Sequence, residues 1–358
     1  MPKTLAHLWP QITAFTHLWA AWQSAARGKR SSPEVAGFDA NAESSVLALQ
    51  RALVDGTYAP SGYRSFLIHD PKRRWVSAAP FVDRVVHHAL VRVIEPAFER
   101  SFIGDSYGNR VGKGTHAAVE RAHGWAKRYR YVLQCDLRQF FPSVDHAVML
   151  EILAKKISCA PTLALCAIIL ASGDGVLADE YDMVFFDGDD LLATYRPRGL
   201  PIGNLTSQFW ANVLLNELDQ LVKRTLQCKA YLRYVDDFLL FSDDKAELWA
   251  WKNAIRELLD GMRLTMHEKS STVYPVANGI GFLGQRIFPT YRRLKTRNAR
   301  AFEARFRDGQ IAFNNGEISL EELTTHVRGW VAHAEHANTV GLRQHIFSKP
   351  WQPKKAKP

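Results

Sequence analysis

Two adjacent carboxylates, Asp236 and Asp237, stand between the apolar runs Ala230-Tyr231-Leu232 and Phe238-Leu239-Leu240-Phe241. Apolar, aromatic and β-branched residues favour strands and a tight polar interruption favours a turn, so Tyr234-Val235-Asp236-Asp237 reads as the tip of a short β-hairpin. Two carboxylates held side by side repel each other, and burial raises at least one of their pKa values. A divalent cation relieves both problems. Mg²⁺ takes few protein carboxylates and completes its shell with water and substrate phosphates. Asp189-Asp190 and Asp243-Asp244 repeat the pair and read as solvated loop acids. A third carboxylate, Asp136, ends the buried-strand pattern Tyr131-Val132-Leu133-Gln134-Cys135. Alone it reads equally well as a helix N-cap. With Asp236 and Asp237 it completes a set from separate strands, as two Mg²⁺ ions about 3.5–4 Å apart require in polymerases and nucleases.

Tyr-Val-Asp-Asp with the upstream Asp136-x-x-x-x-Phe141 resembles the polymerase core of reverse transcriptases, and the likeness continues in ordered blocks almost to the C-terminus. The resemblance implies an α+β right-hand polymerase fold with fingers, palm and helical thumb. It implies RNA-templated DNA synthesis with Asp136, Asp236 and Asp237 as catalytic residues. The same three, with the carbonyl of Leu137, would hold two Mg²⁺, for which Mn²⁺ can substitute. Phe141 falls where the family has a steric gate against a ribose 2′-OH; the other reading is a core aromatic, and both can hold.

Further blocks carry the resemblance outward. Gly199-Leu200-Pro201-Ile202-Gly203-Asn204-Leu205-Thr206-Ser207-Gln208 stands where most members resemble Gln-Gly-x-x-x-Ser-Pro, with Ile202 in place of the Gln and Gln208 in place of the Pro. That departure is similar to the enzymes of diversity-generating retroelements and related bacterial groups. Ile202, Gly203 and Gln208 are thereby assigned to the nucleotide pocket, and Asn204, Thr206 and Ser207 to the start of a helix from Gln208 to about Lys223. The stretch Phe66 to Ser77 resembles a fingers block, a basic hairpin in which Lys72 and Arg74 suit a triphosphate, Arg as a planar fork and Lys as a point charge. Ser106 to His116 resembles the block before the palm, with Arg110 and Lys113 placed for nucleic acid. Lys269 falls near the leaving pyrophosphate or is a surface lysine. Gly281 to Ile287 resembles the primer grip, putting Phe282, Leu283 and Gly284 on nucleic acid together with Tyr234 and with Arg297 of the basic thumb entry.

The elements that must position these residues divide the 358-residue chain into an N-terminal helical segment (1–60), fingers (61–130), a palm (131–288), a helical thumb (289–348) and a basic tail (349–358). Residues Leu5 to about Gln50 predict helices with Trp-bearing faces. The palm holds an acidic insertion (173–197); Asp174 to Asp190 carries seven acids and no Lys or Arg. It reads as a solvated β-hairpin, or as a docking site for a basic partner. Trp330 reads as thumb core. His333 and His336 have metal-like spacing but no evident third ligand.

A formal charge of +10 and a pI near 9.4 fit a polyanionic partner, because neutralising phosphates releases counterions. The four cysteines lack metal-ligand spacing and read as reduced core residues of a cytoplasmic protein. No signal-peptide pattern is seen, and the longest apolar run, Leu163 to Ala171, falls short of the ~20 residues of a membrane helix. The expected partners are template RNA, the RNA/DNA hybrid, dNTPs and a small basic accessory protein, with no membrane. Error-prone cDNA synthesis in a diversity-generating retroelement is the leading reading. The alternative is an antiphage defence enzyme copying a cognate non-coding RNA. A non-catalytic RNA-binding module is a third class, against which the three carboxylates and Phe141 argue.

Overall fold

The computed structural model describes residues 4–69 and 73–351. Helices Trp9–Ile12, Phe15–Ala26, Pro33–Ala40 and Ala42–Val54 open the described chain, as the Trp-bearing faces predict. Trp22 is buried while its indole N–H donates to Asp39 at 2.8 Å, so the ring enters the core with its polar end satisfied. Strands β1 (Arg64–Ile68) and β2 (Arg74–Ala78) form the expected hairpin, antiparallel with Ile68 opposite Arg74. Its Asp70, Pro71 and Lys72 lie outside the described residues, and the reading of Lys72 with them. Helix Phe81–Glu99 follows and packs on Phe15–Ala26.

Strands β3 (Tyr131–Cys135), β4 (Tyr231–Tyr234), β5 (Asp237–Ser242) and β6 (Thr272–Pro275) make an antiparallel sheet in the order β4-β5-β3-β6. Successive side chains point to opposite faces of a strand, and here each face meets its own core. Leu133, Cys135, Tyr231, Phe238 and Leu240 enter the main core with helices Phe81–Glu99, Leu205–Gln220 and Lys245–Gly261. Val132, Leu232, Leu239 and Phe241 enter a second core with Ala118, Val119 and Ala122 of helix Thr115–Ala126. Cover on both faces is why Phe238 to Phe241 reads as an unbroken apolar run. It also fixes the register, since a one-residue slip would exchange the two faces.

Strands β7 (Ile280–Phe282), β8 (Gln285–Ile287) and β9 (Arg292–Leu294) make a smaller sheet that leads into helices Thr296–Asn314, Leu320–Ala334 and Val340–Phe347. Ser319 and Glu322 form a capping box at the second of these helices. Trp330 stacks on Phe302 at 3.8 Å with the rings 3° apart, so its packing reading is borne out.

Two expectations are corrected. The acidic stretch is not a β-hairpin: between Asp174 and Asp190 the described chain has no strand, only a 3₁₀ turn at Ala178–Glu180. Its acids bind neighbouring cations and backbone in place of a second strand. Asp182 pairs with Arg138, Asp189 with Arg196, and Asp174 accepts from the Arg198 N–H at 3.1 Å. The helix assigned to Gln208 onwards begins earlier, at Leu205, and passes after Gln220 into a π-turn, Leu221–Thr225. His116 stacks on His336 with ring centroids 3.6 Å apart and lies 5.4 Å from His333. No described group of three His, Cys, Asp or Glu is gathered to hold a metal by itself. All four cysteines are free and buried. No described helix is long and apolar enough to cross a membrane.

Candidate active site

Tyr234 pairs with Asp237, so the hairpin turn is the two residues Val235 and Asp236. Asp236 sits in the turn and Asp237 opens β5. Val235 has φ +56°, a conformation that costs a β-branched residue on the order of 1–3 kcal/mol and persists only where the surroundings impose it. Gly108 lies against it: a Cβ on Gly108 would come within 2.5 Å of Val235 Cγ2. From within the hairpin, Arg233 Nη1 donates to the Val235 carbonyl at 3.0 Å.

Strand β3 runs beside β5 with Cys135 opposite Phe238, which brings Asp136, one residue on, level with Asp237. The Asp136 carbonyl accepts from the His267 N–H at 2.8 Å, and its N–H donates to Ser271 Oγ at 3.4 Å. Leu137 buries its side chain and pairs with Met266, so whatever it offers the site comes from its backbone. Asp236 is half-buried. Burial pushes its carboxyl up from 3.8 to about 6; the charge of Asp136 adds to the rise, while a backbone N–H, Arg74 and Arg233 oppose it. The register sets the acid beyond β3 beside the turn, and the charge of Arg74 from the β1–β2 hairpin acts on Asp236. The carboxylates of Asp136, Asp236 and Asp237 and the Leu137 carbonyl are hard oxygen donors. That suits an ion whose shell is completed by water and substrate phosphates.

The Gly199–Gln208 block fastens the β1–β2 hairpin beside this set. Ser77 N–H donates to the Ile202 carbonyl at 2.8 Å. Asn204 takes the N-cap position of its helix without capping it. Its side chain instead accepts from the Ala79 N–H at 3.2 Å and donates to the Ser77 carbonyl at 3.0 Å. Gly203 has φ +117°, and a Cβ there would come within 2.9 Å of Val76 Cγ1, so close approach and backbone both call for glycine. Ile202 is half-buried and Gln208 exposed. Phe141 is half-buried, edge-on to Phe140 at 5.3 Å, and packs on the main core.

Residues 69–287 match the family described as reverse transcriptase (RNA-dependent DNA polymerase). The chain belongs to the reverse transcriptase family. It is an RNA-directed DNA polymerase of the right-hand fold, from a family that copies RNA templates with dNTPs and uses divalent metal ions. Protein YkfC of Escherichia coli (strain K12) is 26% identical over 279 residues, 67% of this chain and 70% of that protein. Group II intron-encoded protein LtrA of Lactococcus lactis subsp. cremoris is 26% identical over 190 residues, 51% of this chain and 29% of LtrA. Nuclear intron maturase 1, mitochondrial, of Arabidopsis thaliana is 31% identical over 85 residues, 24% of this chain and 12% of that protein. The matches thus span most of YkfC and under a third of the other two.

Around the centre of this reverse transcriptase, two sequence assignments change. Arg110 was expected on nucleic acid, yet its side chain is 7% exposed and paired with Glu99. Its Nη1 also donates to the carbonyls of Ile103 and Ser106 at 2.7 and 2.8 Å. Its donors are spent inside the protein. Phe282 is fully buried in the second core and has no surface to offer a primer. The next two residues, Leu283 and Gly284, form a two-residue turn with φ +43° and +84°. The Gly284 carbonyl accepts from the Lys295 N–H at 3.0 Å, tying this turn to the thumb entry. Lys113 is half-buried and donates to the Gly104 carbonyl at 2.6 Å, and Tyr234 Oη lies 3.1 Å from Thr115 Oγ1. Arg297 and Lys269 are exposed. Lys269 rides on the turn that follows the Met266 pairing. Buried Lys252 braces that turn through Glu268 at 2.9 Å and the Ser271 carbonyl at 2.7 Å.

Sequence reasoning missed Arg233, Asp219 and Asn212, whose side chains meet beneath the hairpin. The signal was there: a charge inside each of two apolar elements, Tyr231-Leu232-Arg233-Tyr234 and Leu218-Asp219. A charge is seldom fully buried unless it is paired, so two such charges are candidates for each other.

Proposed function

We propose that this reverse transcriptase joins nucleotides by two-ion transfer, with Asp136, Asp236, Asp237 and the carbonyl of Leu137 holding two Mg²⁺ for which Mn²⁺ can substitute. The observation that carries the reading is the strand register, which sets Asp136 at the end of β3 level with Asp237 at the head of β5, beside the turn that holds Asp236. Bound there, the ions would lower the pKa of the primer 3′-hydroxyl and neutralise charge on the leaving pyrophosphate. Arg74 and Lys72 hold the triphosphate, and Lys269 stands on the pyrophosphate side. Phe141 excludes a 2′-OH, while Ile202, Gly203 and Gln208 line the nucleotide. The fingers (61–130), palm (131–288) and thumb (289–348) enclose the RNA/DNA hybrid, which meets Lys113, Tyr234, Leu283, Gly284 and Arg297. Primer extension on an RNA template is the test. Asp236→Asn or Asp237→Asn should abolish incorporation while RNA binding survives, and near-wild-type extension by either variant sinks the mechanism.

The finer reading is error-prone copying in a diversity-generating retroelement, in the cytoplasm and with a small basic accessory protein. It rests on Ile202 and Gln208. Faithful copying by the native complex would turn it toward antiphage defence.

A further inference from the structure

Beneath the Val235-Asp236 turn lies a fully buried ion pair. Arg233 and Asp219 are both 0% exposed. Arg233 Nε donates to Asp219 Oδ1 at 2.8 Å and Nη2 to Oδ2 at 2.7 Å, a two-point fork. Tyr231 Oη donates to Asp219 Oδ1 at 2.7 Å, so the carboxylate is held three ways. The remaining guanidinium nitrogen, Nη1, reaches Asn212 Oδ1 at 3.2 Å and the Val235 carbonyl at 3.0 Å. Asn212 in turn donates to the Gly108 carbonyl at 2.9 Å, and Gly108 is the residue pressed against Val235. The backbone repeats the linkage: Arg233 N–H donates to the Asp105 carbonyl at 3.0 Å, and Tyr107 N–H to the Arg233 carbonyl at 2.9 Å.

This network has a direction. Asp219 and Asn212 sit on helix Leu205–Gln220, which also carries at its start the block that fastens the fingers hairpin. The Val235 carbonyl belongs to the peptide whose nitrogen is that of Asp236, so fixing that carbonyl fixes the plane from which the Asp236 side chain departs. The Tyr234–Asp237 pairing sets the two-residue turn, and the Arg233 anchor adds a side-chain hold on the left-handed Val235 at its carbonyl.

We propose that Arg233 is a positioning residue for metal-dependent nucleotidyl transfer: clamped by Asp219, it holds the Val235 peptide so that Asp236 presents its carboxylate to a divalent cation together with Asp136. The inference rests on the two-ion reading. An Arg233 that merely stabilises the fold would leave metal affinity unchanged in any variant that folds.

Two variants separate these roles. Arg233→Met with Asp219→Leu removes both charges together, a replacement that buried pairs often tolerate. Arg233→Lys keeps the charge but cannot grip both Asp219 oxygens and the Val235 carbonyl. Mn²⁺ binding is read by electron paramagnetic resonance on the template–primer complex, alongside primer-extension rates over a Mg²⁺ series and RNA affinity. Both variants should bind RNA within about twofold of wild type, because no nucleic-acid contact is removed. Both should need about tenfold more divalent ion at half-saturation, in binding and in rate, as a ~1.4 kcal/mol loss of positioning would produce. A folded variant with unshifted Mn²⁺ binding overturns the proposal. If neither folds, Asn212→Ala keeps the ion pair but releases Arg233 Nη1 and the Gly108 carbonyl; it must show a shift in the same direction, and an unshifted titration there is equally fatal. Wild-type enzyme indifferent to divalent ions would instead overturn the two-ion reading beneath it.

Discussion

At Asp236 the site works against the fold. The carboxyl is pushed up to about 6, chiefly by burial, with the Asp136 charge adding to it. A raised folded-state value means that the native protein binds this proton more tightly than the unfolded chain does. The associated stability is fully present below about pH 4 and is lost as pH rises through about 6. Asn cannot ionise, so Asp236→Asn should be more stable than wild type at pH 7.5 without divalent ions, by about 1–3 kcal/mol. The gap should close below pH 4 and narrow in wild type when Mg²⁺ is added, while incorporation by the variant is lost. Denaturant melts at three pH values measure it; a variant no more stable at pH 7.5 would mean that the carboxylate pays no desolvation penalty. The second residue-scale prediction concerns Phe141, which is only half-buried although it packs on the core. Removing its ring should open the space a 2′-OH would occupy. Phe141→Ala should lower the preference for dNTP over rNTP by roughly tenfold to a hundredfold, the scale on which an apolar wall discriminates by size. An unchanged ratio in single-nucleotide incorporation would leave Phe141 as core packing alone.

Elements were legible where a pattern is local. Apolar runs broken by two polar residues gave the β4–β5 hairpin, and a basic break gave β1–β2. What escaped depends on partners distant in sequence. Arg233 finds Asp219 fourteen residues back on a helix, and Arg110 finds Glu99; neither pairing has a local signature. Phe282 misled because a resemblance between blocks says which hairpin is present, not which face of it is covered. The acidic stretch misled because composition names a surface and not a conformation. The Gly199–Gln208 element shows how a local departure can be tested within a fixed frame. Its hold on the fingers runs through backbone and Asn204: the Ile202 carbonyl, the Ser77 N–H and carbonyl, and the Ala79 N–H. Changing the Ile202 side chain leaves all of these in place. Base selection depends on differential binding at the transition state, and an apolar side chain supplies no polar positioning contact. Wild type should therefore copy a defined RNA with many errors, unevenly across template bases. Ile202→Gln should cut the error rate by up to about tenfold, the equivalent of ~1.4 kcal/mol. Sequencing of cDNA made in vitro decides it, and equal error spectra would remove the side chain from the explanation.

Over the whole molecule, charge is plentiful and unevenly placed. The chain carries 46 Lys and Arg against 36 Asp and Glu, and seven of those acids fall between Asp174 and Asp190, away from the basic run that enters the thumb. Arg293, Arg297 and Arg300 are exposed where β9 gives way to helix Thr296–Asn314. The turn Leu283-Gly284 is fastened to the same entry through Lys295 and Asn298. If the hybrid passes here, these cations meet phosphates and not base edges. Phosphate contacts orient a nucleic acid without reading it, and each one releases counterion, so affinity should fall linearly with salt on logarithmic axes. Arg297→Gln combined with Arg300→Gln removes two exposed charges and no core contact, so its melting behaviour should stay within about 0.5 kcal/mol of wild type. Its affinity for an RNA-template/DNA-primer duplex should weaken to the same degree for unrelated sequences. The slope of log affinity against log salt should become shallower by about 1.4–1.8, two contacts at roughly 0.7–0.9 each. Fluorescence anisotropy from 50 to 200 mM salt gives both numbers. An unchanged slope would take the thumb entry off the nucleic-acid path, and a loss confined to some sequences would make these arginines base readers instead.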